Sequence, residues 1–406
     1  MVVSRSIASV ATALALALRL TAAEHPPSPV IRARVVDAFN AALCGDALSL
    51  GGHYEYDAAI ISAGVGQYTR FYAPGEGLGG TTHGVGWGRA NYHPGKIAGD
   101  LTDAGDVSIM LLEHLVASKG VYSFDGYAEH WQSRITRGYG SCNFQTAKDG
   151  LCPPGTTPGY LSGATKRTLA ALEREPNAKG QRRMELAALV NCVQPATRFI
   201  PLLYIFDNED SAAAAAVSAV YLTHGDRDPV QAADFLSRAL FRIVRGEALV
   251  PALTGAAAKT GDERISNWLN SAMSKVEEAN DPKSDLSKEV FVDDRAITSM
   301  ARLWDIGKSE PIRVGKASPT EGALPGALYI ALRYKHSLKE ALIANAGVGG
   351  DSAARGFLIG SLLGGGQGEA ASVPSEWTAN LNERERVSGL WKSLDLHMQT
   401  TKSTTE

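Results

Sequence analysis

Three segments of the sequence place acidic or polar side chains beside glycine-rich turns, where they could bind a ligand. They cover residues 45–57, 92–106 and 347–352. In the second and third, Asp103 and Asp351 lie where the turn meets an apolar helical pattern. Such a turn lets oxygen ligands converge on a hard cation such as Mg²⁺, which proteins hold with few carboxylates and several waters. Alternatively, the N–H groups of the helix start attract an anion such as phosphate, or the Asp side chains only cap their helices.

Other polar residues are candidates for contacts with a substrate. Tyr92, His93 and Lys96 share one glycine-rich loop, from which they could contact a phosphate or stack on an adenine. Ordinary packing within the loop is the alternative. Thr223-His224-Gly225-Asp226 starts a helical pattern, where capping of the helix is favoured over catalysis. The sequence contains no spacing typical of a Ser-His-Asp triad, a Cys-His pair or a zinc site.

The composition is that of a soluble globular protein. The chain has 406 residues, of which 44% are hydrophobic and 20% are charged, so it can bury a large core. Its net charge of −3 provides no basic excess to neutralise phosphates, which excludes a general nucleic-acid-binding role. Its four cysteines are too few for a disulfide scaffold.

The first 23 residues have the pattern of a targeting segment. Arg5 precedes an apolar run over residues 7–18, and small residues follow at 21–23. This pattern predicts a secretory signal and an extracellular or secretory-pathway protein, with mitochondrial or cytoplasmic localisation as the alternatives. The apolar run is shorter than the ~20 residues that a membrane span needs, so we expect no membrane contact in the mature form.

Helical periodicity dominates the rest of the chain. Ser28 and Pro29 mark a helix start, with a pattern that continues to Gly45. Further helices are predicted over residues 107–116, 165–172, 185–189, 208–222, 230–244, 267–276, 324–334, 338–344 and 353–363. Alternating strand patterns are scarce, and residues 64–94 form a glycine-rich stretch typical of a long ordered loop. The sequence therefore predicts an all-α protein.

Three further segments are predicted from their composition. Residues 138–159 form a loop insertion in which a disulfide between Cys142 and Cys152 would contribute about 2–3 kcal/mol and need an oxidising compartment. Two free thiols are the alternative there. The charge-rich residues 277–295 are expected to form a solvated connection, and the polar tail over 396–406 is expected to fray.

Four motifs in order make the sequence resemble the ADP-ribosylglycohydrolase family. They are Gly-Asp-Ala-Leu at 45–48, Thr102-Asp103 with Glu113 ten residues later, the segment 191–203, and Gly349-Gly350-Asp351 with Gly356–Gly365, Pro374 and Trp377. The resemblance covers residues 35–380. Residues 53–57 and 92–105 are also similar to the branch of the family that contains the J-type lens crystallins.

The resemblance implies a single domain over residues 28–395, folded as a large orthogonal helical bundle with a central cleft. In active members of the family, two Mg²⁺ ions in that cleft position water and the ribose of an ADP-ribosyl group. The resemblance thus implies ADP-ribose or an ADP-ribosylated substrate as the partner, and we expect a monomer. The implied site residues are Thr102, Asp103 and Asp351 as ligands of one or two Mg²⁺ ions, Asp103 and Glu55 in catalysis, and His53, His93, Lys96, Gly349, Gly350 and Ser352 in substrate contacts.

Several positions depart from the family pattern. Ala104, Ala353 and Ala354 stand where the family has further metal ligands, and the expected glutamate falls at His53, with Glu55 close enough to replace it. Methyl groups cannot hold two ions ~3.5–4 Å apart or lower the pKa of bound water. Two hypotheses follow: a protein that hydrolyses or binds ADP-ribosyl groups with an eroded magnesium site, or an inactive crystallin-like structural or nucleotide-binding protein. A metal-free hydrolase of another substrate is a third.

Overall fold

The structure is a computed structural model that describes residues 26–84, 88–148, 150–301, 303–304, 312–313 and 316–403. The α-helices of these residues are α1 Pro29–Ser49, α2 Ala58–Gly64, α3 Asp103–Ala117, α4 Phe124–Thr136, α5 Gly163–Arg174, α6 Gly180–Glu185, α7 Glu209–Val220, α8 Arg227–Ile243, α9 Leu249–Thr260, α10 Glu263–Asn280, α11 Val292–Ser299, α12 Thr320–Arg333, α13 Leu338–Val348, α14 Ser352–Gly364, α15 Ser375–Asn380 and α16 Arg384–Ser403. Short 3₁₀ helices cover Leu50–Gly52, Gln194–Thr197, Ile200–Tyr204, Leu286–Lys288 and Glu369–Ala371. Two antiparallel ribbons pair β1 Thr82–Gly84 with β2 Gly88–Ala90, and β3 Leu303–Trp304 with β4 Ile312–Arg313.

The helices pack around one hydrophobic core, so the fold is the single all-α domain that the sequence predicted. Helix α14 is buried along its whole length and packs against α1. Glycines permit this approach: a Cβ on Gly45 would lie 2.2 Å from the carbonyl oxygen of Gly356, and one on Gly360 would lie 2.3 Å from that of Ala41. Because α14 begins at Ser352, this contact fixes the position of the turn that carries Asp351.

The predicted start of α1 is confirmed, and its end lies further along the chain. The Ser28 hydroxyl accepts a hydrogen bond from the backbone N–H of Ile31 at 3.4 Å, and Pro29 is the first helical residue. The helix continues past Gly45 to Ser49. A glycine often ends a helix, but here its missing side chain serves the close contact with α14 instead.

The start of helix α3 is fixed by hydrogen bonds to a side chain of α1. Thr102 caps α3, and its hydroxyl accepts from the N–H of Ala104 at 3.3 Å. The buried Asp46 carboxylate of α1 accepts from the Thr102 N–H at 3.1 Å, the Thr102 hydroxyl at 2.7 Å and the Gly105 N–H at 2.9 Å. Asp46 therefore accepts from two N–H groups that have no partner within the neighbouring helix, and these bonds fix where Asp103 lies.

Two sequence predictions were wrong in detail. The helix predicted over 185–189 is absent, because α6 ends at Glu185 and Ala188 instead pairs with His224 in an isolated β-bridge. The segment 277–295 is not a plain solvated connection. Asp293 accepts hydrogen bonds from Tyr329 at 2.9 Å, Arg333 at 2.7 Å and Tyr334 at 2.7 Å, so it joins α11 to α12.

The remaining predictions concern the disulfide, the C-terminal tail, the targeting segment and membrane contact. Cys142 and Cys152 are joined by a disulfide, which closes the insertion over 138–159. Residues 396–403 of the predicted tail belong to α16. The predicted targeting segment over 1–23 lies outside the described residues. Among the helices that the structure describes, none is long and apolar enough to cross a membrane.

Candidate functional site

A cleft of about 430 Å³ lies where the starts of α3, α5 and α14 meet. Each of these helices presents its first turn to the cleft, and the loop after α1 closes one side. The cleft is lined by His53, Tyr54, Tyr56, Thr102, Asp103, Ala104, Tyr160, Ser162, Gly163, Ala164, Arg167, Val190, Cys192, Gln194, His224, Ala317, Ser318, Asp351, Ala353 and Ala354.

The three predicted metal ligands, Thr102, Asp103 and Asp351, all line this cleft, although about 250 residues separate the two helix starts. Burial raises the pKa of Asp103 to about 8, and the negative charge of Asp351 adds to that rise. Burial also raises the pKa of Asp351 to about 6, although the nearby Arg355 guanidinium opposes the rise. The two carboxyl groups therefore share one poorly solvated space.

His53 faces Asp351 from the loop after α1. Its Nδ1 accepts from the backbone N–H of Ala353 at 3.3 Å, which assigns the proton to Nε2. That Nε2 lies 3.7 Å from the nearer carboxylate oxygen of Asp351, too far for a direct hydrogen bond. Burial lowers the pKa of His53 well below its usual value, so the ring is neutral near pH 7.

Aromatic rings form one wall of the cleft. Tyr54, Tyr56 and Tyr160 all line it, and the Tyr54 and Tyr160 ring centroids lie 6.1 Å apart. Burial raises the pKa of the Tyr160 hydroxyl and raises that of Tyr54 well above its usual value. Both hydroxyls therefore stay protonated and can donate hydrogen bonds. Tyr54 has a φ of 68°, which is uncommon for a residue other than glycine.

His224 provides a polar group on a second wall. Its Nδ1 lies 2.8 Å from the Thr223 hydroxyl, which in turn accepts from Arg198 at 2.7 Å. The Thr223 oxygen can accept from Arg198 and either donate to Nδ1 or accept from it, so this contact does not assign the proton of His224 to Nδ1 or to Nε2. The buried Nε2 has no hydrogen-bond partner among the described residues. Helix capping, which we favoured for the segment 223–226, is confirmed: Asp226 is the N-cap of α8, and its carboxylate accepts from the Asp228 N–H at 2.9 Å.

Several cleft residues were not predicted as site residues. Tyr160 follows the disulfide-closed insertion, Cys192 lies in an irregular segment, and Gln194 begins the short 3₁₀ helix Gln194–Thr197. Tyr160 has no local signal, whereas Cys192 and Gln194 lie within the motif segment 191–203, which marked the segment but not these side chains. Burial raises the pKa of Cys192 to about 12, so this thiol is a poor nucleophile at neutral pH.

Glu55, predicted as catalytic, does not line the cleft. Its carboxylate accepts from Arg89 at 3.1 Å and from the His83 N–H at 3.3 Å, so it holds the β1–β2 ribbon instead. Lys96 does not line the cleft either, because its ammonium binds Asp106 at 2.9 Å. Tyr139 donates to the same carboxylate at 3.0 Å, so Asp106 is also occupied away from the cleft.

The other predicted substrate contacts lie behind the cleft wall. His93 is buried against Tyr54, with nearly parallel rings 5.9 Å apart. Gly349 and Gly350 have φ angles of 71° and 70° and form a turn, in which the Gly350 N–H donates to the Glu55 carbonyl at 2.6 Å. The buried Ser352 hydroxyl has no partner among the described residues and does not line the cleft.

The residues present do not fit the two-metal centre that the resemblance implied. Among the described residues, no group of three or more His, Cys, Asp and Glu side chains is placed to hold a metal ion. The Thr102 hydroxyl is already bonded to Asp46, and Ala104, Ala353 and Ala354 line the cleft beside the two carboxyl groups. The groups left to bind a metal ion are therefore two carboxyl groups and a threonine that serves as a helix cap.

A larger cavity of about 700 Å³ lies between α2, α11 and α13, away from the predicted site residues. Its Asp293 carboxylate is occupied by Tyr329, Arg333 and Tyr334. The smaller cleft is the better candidate, because it alone of the two contains the predicted site residues Asp103 and Asp351.

Comparison with a solved structure defines the class of protein. A structure described as an ADP-ribosylglycohydrolase-related protein complex aligns with 91% of this chain and 99% of that chain, with a TM-score of 0.53 and 19% sequence identity. The fold is therefore the all-α bundle of the ADP-ribosylglycohydrolase type.

The sequence itself gives the family. Residues 27–404 match the family model described as ADP-ribosylglycohydrolase. The chain belongs to the ADP-ribosylglycohydrolase family, which confirms the family that the ordered motifs predicted. Similarity to the crystallin-like branch stays a prediction. No functionally curated protein matches this sequence.

Proposed function

We propose that the cleft binds an ADP-ribosyl group and that the chain does not perform two-metal hydrolysis of it. Family membership supports the ligand class. The volume of about 430 Å³ lies within the range of small-molecule sites. The wall residues Tyr54 and Tyr160 provide donors for phosphate oxygens, and the Asp103 and Asp351 carboxyl groups can accept from ribose hydroxyls.

One observation supports the loss of hydrolysis above the others. Ala104, Ala353 and Ala354 line the same cleft as Asp103 and Asp351. Two-metal hydrolysis needs oxygen ligands on both ions to lower the pKa of the attacking water. Methyl groups supply none, and the neutral His53 has its Nδ1 committed to the Ala353 N–H.

Titration calorimetry with ADP-ribose, with and without Mg²⁺, tests this proposal. We expect binding heat that does not depend on Mg²⁺. A matched control is Gly163→Trp, because Gly163 is exposed at the cleft and a Cβ there would meet nothing within 4 Å. The indole should block the cleft and change the free energy of unfolding by no more than about 0.5 kcal/mol.

A parallel assay follows the release of ADP-ribose from modified protein at high enzyme concentration. We expect no turnover. Turnover that requires Mg²⁺ would instead support hydrolysis with one ion near Thr102, Asp103 and Asp351. No binding heat at all, from a folded chain, would support a structural protein like the lens crystallins.

A further inference from the structure

The disulfide-closed insertion over 138–159 packs directly behind the aromatic wall of the cleft. Its two ends are tied together, because the Cys142 N–H donates to the Thr157 carbonyl at 3.0 Å and Cys142 is bonded to Cys152. Tyr160 follows immediately after the insertion and lines the cleft. The path of the insertion therefore fixes one side chain of the wall.

The disulfide also touches the loop that carries His93. Its sulfur atoms lie 3.9 Å (Cys142) and 3.6 Å (Cys152) from the Pro94 carbonyl oxygen. Gly95 has a φ of 77°, and a Cβ there would lie 2.4 Å from the Cys152 sulfur. Only glycine permits this approach, so the loop is shaped around the intact disulfide.

Ring contacts connect the insertion to the tyrosine side chains that line the cleft. Phe144 of the insertion packs on Tyr92 at 5.1 Å, and Tyr92 packs on Tyr54 at 5.4 Å. His93 lies 5.9 Å from Tyr54 and 5.5 Å from Tyr160. The buried Nε2 of His93 has no hydrogen-bond partner among the described residues, so ring packing is the main restraint on that side of the imidazole.

Tyr54 needs such support. Its left-handed backbone is strained for a residue with a side chain, and strained residues persist only where their surroundings hold them. The Tyr54 N–H donates to the Gly350 carbonyl at 2.8 Å, which fixes the backbone. The ring packs on His53 at 4.0 Å, and the residues behind it, Tyr92 and His93, contact it at 5.4 and 5.9 Å.

We propose that the insertion positions Tyr54 and Tyr160, so that reduction of the Cys142–Cys152 bond weakens ligand binding in the cleft. This inference rests on the proposed function. Cys152 is partly exposed and Cys142 is buried, so a thiolate from a dithiol reductant attacks the Cys152 sulfur. The second thiol of the reductant then releases the mixed disulfide. The protein S–S bond breaks and two thiols form, while the dithiol loses two electrons and two protons and becomes a cyclic disulfide.

The test compares ADP-ribose binding to the oxidised chain, the dithiol-treated chain and the double variant Cys142→Ser/Cys152→Ser. We expect the Kd to rise about tenfold on reduction and equally in the variant. Without the disulfide, the side chains of the wall are less ordered, and part of the binding free energy is then used to order them when the ligand binds. Adding dithiol to the variant should change nothing, which controls for effects on Cys44 and Cys192.

Hydrogen exchange provides a readout that does not depend on the ligand. We expect amides of residues 53–54, 91–96 and 159–162 to exchange faster after reduction, while those of α14 stay unchanged. A lower melting temperature with an unchanged Kd and unchanged exchange would overturn the inference and leave the proposed function intact. If the oxidised chain binds no ADP-ribose, the proposed function fails, and the exchange measurement alone decides the inference. If the variant does not fold, the dithiol-treated chain serves in its place.

Discussion

Single positions decide what the cleft can do chemically. Asp103 and Asp351 retain carboxyl groups at two helix starts, whereas Ala104 and Ala353 present methyl groups beside them. Because a hard cation needs several oxygen ligands, these small side chains separate a binding cleft from a metal centre.

Restoring the lost carboxylates should restore a response to metal. In the double variant Ala104→Asp/Ala353→Asp, buried charges near Asp103 and Asp351 should repel one another and lower the melting temperature without metal. Mg²⁺ bound only by the folded state should then stabilise the variant, by about 2.7 kcal/mol at a hundredfold excess over its Kd. Calorimetric melting with and without Mg²⁺ measures this. The matched Asn double variant should show no such shift, and an equal shift in the wild type would contradict the idea.

Asp46 is the residue on which the start of α3 depends. Asp46→Ala leaves two backbone N–H groups and the Thr102 hydroxyl without their buried acceptor. We expect the free energy of unfolding to fall by about 3 kcal/mol, measured by urea denaturation. Asp46→Asn retains one acceptor oxygen and should lose less. Equal losses in the two variants would show that the acceptor is not the cause.

Contacts between helices bring the important residues to the cleft. The α1–α14 contact places the turn that carries Asp351, and the hydrogen bonds of Asp46 to Thr102 and Gly105 at the start of α3 place Asp103. Each arrangement joins a helix start to a buried neighbour, so the functional groups lie on rigid elements.

The backbone contact between α1 and α14 should not tolerate a larger residue. A Cβ on Gly356 would lie 2.4 Å from the Gly45 carbonyl oxygen, so Gly356→Val must force the helices apart. We expect a loss of about 3 kcal/mol in the free energy of unfolding, together with weaker ligand binding. Gly389→Ala is the control, because a Cβ there meets nothing within 4 Å and alanine favours helix. A stable Gly356→Val protein would refute the argument.

Glu113 joins α3 to α4 and α16, and the stability that these contacts contribute depends on pH. Burial acts to raise its pKa, but hydrogen bonds from His130 and Arg386 and the charge of Arg134 outweigh burial and lower the pKa to about 2. Because the folded pKa is below the unfolded one, this stabilisation is complete above pH ~4.5 and is lost as the pH falls towards 2.

Glu113→Gln should therefore reduce stability at pH 7 by about 1 to 2 kcal/mol, less than the full shift implies because solvent screens the charges. Between pH ~4.5 and 2, the free energy of unfolding should fall less steeply in the variant than in the wild type. Urea denaturation across this range measures the difference. Parallel curves would show that Glu113 does not cause the acid response.

At the scale of the whole molecule, the cleft draws residues from segments that span most of the chain, from His53 to Ala354. A ligand that contacts all of these segments should stabilise the domain as a unit. ADP-ribose should raise the melting temperature, and melting followed by circular dichroism and by tryptophan fluorescence should shift together. Gly163→Trp should abolish both shifts, whereas a shift of one signal alone would mean that the ligand stabilises only part of the fold.

Part of this organisation was predictable from local patterns. Helix starts such as Ser28-Pro29 have strong local signals, because capping depends on residues only a few positions apart. The motif order predicted that Asp103 and Asp351 share one cleft, and both do line it. His53 and Glu55 were both predicted at the site, but only His53 lines the cleft, because the direction of each side chain in a loop depends on contacts that a local pattern does not show. Lys96 was predicted to contact the substrate. Its ion pair with Asp106 occupies the ammonium instead, and a sequence pattern does not show which carboxylate a lysine will pair with.

The sequence by itself therefore determined the all-α class, the family and the acidic helix starts, since these rest on periodicity and short spacings. Only the tertiary structure decided which side chains face the cleft. Tyr160 follows the disulfide-closed insertion, His224 pairs with Ala188, and the turn that carries Asp351 depends on the glycine contacts between α1 and α14. Those contacts join residues distant in sequence, and no local pattern records them.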